Sequence, residues 1–256
     1  MTEPLIELSG VIKRFGDNTV LDGVDLSLYR GEVTTIIGKS GTGKSVLLKH
    51  IIGLLAPDAG EILFDGLTTR SMSREQRRAL KMKFSYMFQG NALFDSMTVY
   101  DNVALPLKEK GRVPAADIAA RVWDKLAQLD LSGIGNRYPS QISGGMKKRV
   151  AMARALVTDP EIVLFDEPTT GLDPIRKNAS LAMITQYQKT YGFTAVLVSH
   201  EIPDVFYISQ RIAMLDRGRI IFQGTPEAIQ SSDNPLIQQF IKGQIPENIA
   251  HALHEL

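Results

Sequence analysis

Eight consecutive residues, Gly38-Lys39-Ser40-Gly41-Thr42-Gly43-Lys44-Ser45, have the make-up of a phosphate grip. Glycines let the backbone curl until successive N–H groups point at one set of phosphate oxygens. Lys44 supplies a cation for β- and γ-phosphates, and the Ser45 hydroxyl an oxygen ligand for Mg²⁺. A helix beginning here, with Val46 in its first turn, adds the positive end of its dipole. The spacing G-x-x-x-x-G-K-S carries weight when a strand precedes it and a helix follows. Both are expected: residues 33–37 form a β-branched run, and residues 46–55 carry apolar side chains at helical spacing.

Other residues are candidates for the same chemistry. The apolar run Ile162-Val163-Leu164-Phe165 ends in Asp166-Glu167. Alone, these are acids at a strand tip. Downstream of a phosphate-gripping loop they acquire roles, because ligands of parallel sheets gather at the carboxyl ends of strands. Asp166 can hold Mg²⁺ through its water shell, and Glu167 can polarise an attacking water as general base. Ser143-Gly144-Gly145-Met146 precedes a helical run at residues 150–157. It reads either as a second phosphate-binding helix start, with Ser143 as N-cap, or as a Gly-rich turn before a helix. Lys147, Lys148 and Arg149 fit a solvated basic face. By itself His200 reads as a neutral, satisfied histidine at a strand end, and Phe15 as a core residue.

The elements that must position these groups alternate between strand and helix. Strands are expected at residues 5–15, 20–29, 33–37, 61–64, 84–88, 162–165 and 194–198, with a hairpin at 211–222 around Asp216-Arg217-Gly218. Helices are expected at 46–55, closed by Pro57, at 174–191 and at 202–209. Residues 99–156 read as mostly helical, with breaks at Pro106, at residues 111–114 and at 137–139. Short helices should follow Thr225, with a further one at 247–256. The pattern is a parallel α/β core interrupted by a helical insertion.

Composition bounds the rest. The 256 residues are 44% hydrophobic and 22% charged, with net charge +1. That argues against a nucleic-acid partner. There are no cysteines, which excludes disulfides and thiolate sites and fits a reducing cytoplasm. No signal pattern and no apolar run of roughly 18–20 residues is present, so a membrane role must come through a partner.

In order and spacing, residues 38–45, Gln89, Ile142-Ser143-Gly144-Gly145-Met146, Asp166-Glu167, Gly171-Leu172-Asp173 and His200 resemble the motifs of ABC ATPases over residues 5–225. The resemblance implies an α/β fold: a P-loop NTPase core with a parallel sheet, an N-terminal antiparallel β subdomain and an inserted α-helical subdomain. The cassette would span residues 1–225, with the helical subdomain at about 90–160 and a C-terminal helical extension at 226–256. It implies ATP and Mg²⁺ as cofactors, and two copies paired head to tail. Ser143, Gly144 and Gly145 of one copy would then clamp the γ-phosphate held by Gly38, Lys39, Ser40, Gly41, Thr42, Gly43, Lys44, Ser45 and Val46 of the other. Further roles follow from the resemblance. Gln89 would touch Mg²⁺ or water and relay nucleotide state, Asp173 would sit in the D-loop, His200 would contact the γ-phosphate, and Phe15 would stack on adenine.

Met146 stands where the family's signature usually has Gln. With residues 88–99 it is similar to the ATPases of MCE-associated, Mla-type lipid transporters. That implies a peripheral subunit on the cytoplasmic face of the inner membrane, serving an integral-membrane permease, an MCE-domain protein and a small accessory subunit. Alternatives are a soluble ABC ATPase of the iron–sulfur assembly type, an importer subunit for another small substrate, and a P-loop kinase or GTPase.

Overall fold

The computed structural model describes residues 3–88, 90–111 and 113–242. β1 (Ile6–Phe15) and β2 (Asn18–Leu28) form a hairpin, and β3 (Val33–Ile37) runs into α1 (Lys44–Ile51). β4 (Ala59–Phe64), β5 (Leu67–Thr68), α2 (Arg74–Lys81) and β6 (Phe84–Met87) follow. Three helices come next, α3 (Val99–Lys110), α4 (Ala115–Gln128) and α5 (Gly144–Leu156). The α/β alternation then resumes with β7 (Ile162–Asp166), α6 (Pro174–Tyr191) and β8 (Thr194–Ser199). The hairpin β9 (Arg211–Asp216) and β10 (Arg219–Gly224) precedes α7 (Pro226–Gln230) and α8 (Pro235–Lys242).

Two sheets result. One is antiparallel, in the order β2-β1-β4-β5; the other runs β10-β9-β3-β8-β7-β6. In the second, β9, β3, β8, β7 and β6 are mutually parallel, and β10 closes the edge antiparallel to β9. The central strands β3, β7 and β8 are almost entirely buried, and their residues are mostly apolar or β-branched, because both faces are covered. Ile162, Leu164, Val196 and Val198 point toward α1 and the antiparallel sheet. The alternate residues Val163, Phe165, Ala195 and Leu197 point toward α3, α4, α5 and α6.

Local chemistry sets several boundaries differently from expectation. α1 stops at Ile51, short of Leu55, because Gly53 takes the left-handed conformation (φ 71°) that ends helices. Pro106 does not break α3. Val103, Ala104 and Leu107 around it are fully buried, which offsets the roughly 3 kcal/mol cost of an internal proline. The helix expected over 202–209 reduces to one 3₁₀ turn at Asp204–Tyr207. So short a segment, opened by Pro203, cannot recover the cost of helix nucleation. α2 was not expected at all. It has no buried residue and so no apolar period; its signal is the capping box Ser73–Gln76. The helix expected at 247–256 lies outside the described residues.

One buried amide organises the segment that leads from β6 into α3. Asn102, fully buried, accepts from Phe94 N–H at 2.9 Å and donates to the carbonyls of Phe94, Met97 and Thr98 at 3.0–3.2 Å. Asn102→Ala strands these groups without water and is expected to cost about 3 kcal/mol. Urea unfolding of the purified chain measures it; a loss below about 1 kcal/mol would mean that the amide is not structural.

Candidate nucleotide site

β3, β8 and β7 are adjacent and parallel, so their carboxyl ends share one edge. The phosphate loop leaves β3 there, Asp166 and Glu167 end β7, and His200 follows β8. The loop's glycines answer to close packing. A Cβ on Gly38 would lie 2.3 Å from the Leu215 carbonyl oxygen, and one on Gly43 2.9 Å from Val20 Cγ1. Gly43, at φ 100°, is also the N-cap of α1. Lys39, Ser40 and Gly41 are exposed, and Thr42 Oγ1 donates to the Lys39 carbonyl at 2.9 Å.

Lys44 is only 4% exposed. Its Nζ donates to the carbonyls of Gly38 and Lys39, both at 2.9 Å, and so braces the loop from within. Burial lowers its pKa, opposed by the nearby carboxylates of Glu167 and Asp166. The next residue reaches the acids directly: Ser45 Oγ donates to Asp166 Oδ1 at 3.1 Å. The other Asp166 oxygen accepts from the Tyr86 hydroxyl at 2.6 Å. Burial and this carboxylate together raise the Tyr86 pKa.

Glu167 has left-handed backbone (φ 49°), uncommon for a residue with a side chain and frequent at functional sites. Its N–H donates to the Val198 carbonyl at 3.1 Å, tying the turn to β8. Its carboxylate accepts from Thr170 Oγ1 at 3.0 Å and lies 3.3 Å from His200 Nδ1. A carboxylate only accepts, so Nδ1 carries the hydrogen of this contact.

The remaining candidates are held separately. Ser143 caps α5 as expected, with Oγ accepting from Met146 N–H at 3.2 Å, while Gly144 and Gly145 are exposed with open space around a would-be Cβ. Among the described residues no hydrogen bond or ion pair joins them to the phosphate loop. The Met146 side chain packs against the helical core. Asp173 caps α6, accepting from Arg176 N–H at 3.0 Å. Phe15, 49% exposed, closes the hairpin opposite Asn18, with Lys13 Nζ 5.5 Å from its ring centroid. Val46 is half-buried in α1. Gln89 lies outside the described residues. Just beyond it, Arg154 on α5 donates to the carbonyls of Asn91 and Ala92, both at 2.8 Å.

Sequence reasoning missed Tyr86, Thr170 and Arg154. Only the parallel register of β6 on β7, which sets Tyr86 beside Leu164, reveals the first. No local pattern marks it.

A scan against family models matches residues 21–170 to the ABC transporter family. The chain belongs to the ABC transporter family. It is an ATP-binding, ATP-hydrolysing cassette of that family. The intermembrane phospholipid transport system ATP-binding protein MlaF of Escherichia coli K12 is 38% identical over 239 residues, covering 93% of this chain and 89% of the relative. The probable ribonucleotide transport ATP-binding protein mkl of Mycobacterium bovis is 39% identical over 93% of this chain and 67% of its own length. Among solved structures, cbiO1 from Clostridium perfringens, part of the ABC transporter complex cbiONQ, superposes with a TM-score of 0.80 at 29% identity, covering 98% of this chain and 99% of that one. A dimeric ATP-binding cassette in a post-hydrolysis state, bound to ADP and Pi, gives 0.73 at 30% identity, covering 86% of this chain and 98% of its own. Among the described residues no helix of the cassette is long and apolar enough to cross a membrane.

Proposed function

We propose that this cassette works as a head-to-tail dimer at the cytoplasmic face of the inner membrane, driving phospholipid movement through a separate permease of the Mla type. The observation that carries the lipid reading is the match to MlaF along nearly the full length of both chains. The relative named for ribonucleotide transport is as similar by identity but extends well beyond the matched region. An MCE-domain protein and a small accessory subunit complete the assembly on this reading.

Each copy would contribute half of a composite site. Residues 38–46 bind the triphosphate, with Lys44 on the β- and γ-phosphates and Phe15 stacked on adenine. Ser45 and Asp166, already 3.1 Å apart, are hard oxygen donors that suit Mg²⁺, with Gln89 as a further ligand. When bound, the ion neutralises charge on the phosphates. Glu167, oriented by Thr170 and His200, takes the proton from the attacking water. Ser143 completes the site across the dimer. Its Oγ accepts from Met146 N–H, so its own O–H remains free to donate, and nothing in its own chain crowds Gly144 or Gly145. Asp173 lies at the same interface.

Isolation of the native complex in mild detergent tests the proposal. The expected result is recovery of an integral-membrane permease, an MCE-domain protein and bound phospholipid. Recovery of the cassette without any membrane protein, or with a ribonucleotide-binding assembly, would overturn it.

A further inference from the structure

Away from the nucleotide site, a cavity of about 270 Å³ opens between the C-terminal end of α1, the β4–β5 hairpin and α2. This is close to the lower bound, about 300 Å³, of small-molecule sites, and far more than one water needs. Its walls are apolar, including Leu55, Ile62 and Leu80. Arg70, Arg77 and Lys81 also line it and are exposed, so they form its rim. Among the described residues none of the three has a carboxylate within ion-pairing distance; Arg77 donates only to the carbonyls of Met72 and Arg70. One acid, the exposed Glu61, stands among them. Arg74 and Arg78 extend the positive charge along α2.

Behind the wall lies one buried histidine. His50 is 1% exposed, and its Nδ1 lies 2.8 Å from the Val46 carbonyl oxygen. A carbonyl only accepts, so Nδ1 carries the hydrogen, and burial favours the neutral ring. Nε2 is buried as well and has the Ala56 backbone beside it, so the ring supports the wall from behind and offers no polar group to the cavity.

We infer that this cavity is a second ligand site, built for a small amphiphile with an anionic head and a short apolar chain. The head sits against Arg70, Arg77 and Lys81, and the chain lies along Leu55, Ile62 and Leu80. None of these residues belongs to the nucleotide machinery, and the inference does not depend on which substrate the transporter moves. Apolar walls hold the chain by removing it from water, while the unpaired cations select charge.

Isothermal titration of the full chain with decanoyl lysophosphatidate, kept below its micelle concentration, tests the site. One ligand per chain is expected. Glycerol phosphate, which is the head alone, and decyl maltoside, which is the chain without charge, should each bind at least tenfold more weakly. The double substitution Arg70→Glu and Lys81→Glu should weaken binding at least tenfold, and Thr69→Trp, which fills the mouth, should abolish it. Both variants should keep wild-type ATP affinity, which certifies their fold. Absence of saturable binding, equal binding of decyl maltoside, or binding unchanged by both variants would overturn the inference.

Discussion

Glu167→Gln is expected to leave ATP binding intact and to lower steady-state phosphate release by about 10²- to 10³-fold, the usual range for losing a general base. The carboxylate now accepts from two donors, Thr170 Oγ1 at 3.0 Å and the Nδ1–H of His200 at 3.3 Å. An amide of the same shape has one acceptor oxygen, so it can keep one of these bonds and not both. It also cannot take a proton from water. The phosphate loop, by contrast, makes no hydrogen bond to Glu167, and the Lys44 contacts to the Gly38 and Lys39 carbonyls are untouched. Binding and turnover should therefore separate, and the variant should accumulate as a nucleotide-bound dimer. Phosphate release and size-exclusion chromatography with ATP measure both. An ATPase rate near wild type would remove Glu167 from the role of base.

Lys44→Ala is expected to act earlier, on binding itself. The ammonium is the loop's own cation, 4% exposed and held by two carbonyls at 2.9 Å. Its removal takes away the charge that meets the phosphates, and with it the brace that shapes the curl. A loss of about 100-fold in ATP affinity, near 2.7 kcal/mol, is expected. Equilibrium binding of a fluorescent ATP analogue reads it, and unchanged affinity would contradict the assignment. In the wild-type protein, burial lowers the Lys44 pKa. ATP affinity should therefore fall as pH rises through that lowered value, earlier than an exposed lysine would allow.

The family motifs were legible because each is a local backbone device. The phosphate loop needs glycine wherever a Cβ would strike neighbouring backbone or side chain, at Gly38 and Gly43. Ser143 and Asp173 announce helix starts, and both serve as N-caps. The strands 33–37 and 162–165 were visible because burial on both faces favours runs of β-branched and apolar residues. Helix α2 was invisible to periodicity because it buries nothing, and Pro106 was misread because its cost is offset only by packing that a sequence does not display.

What the sequence by itself determined is the family and the local devices that mark it: a glycine-rich loop between strand and helix, two acids at a strand end, and a serine-capped helix start. Only the tertiary structure decided how those groups are held. The strand order β3-β8-β7 brings Ser45 to Asp166 and His200 to Glu167 across 121 and 33 residues of chain. Tyr86 on Asp166, Arg154 on the carbonyls beyond Gln89, and the charged cavity behind α1 arise in the same way. The physical reason is one of range. Backbone curls and caps are settled within a few residues, whereas hydrogen bonds between side chains far apart in sequence exist only once sheet register and helix packing have set their distances.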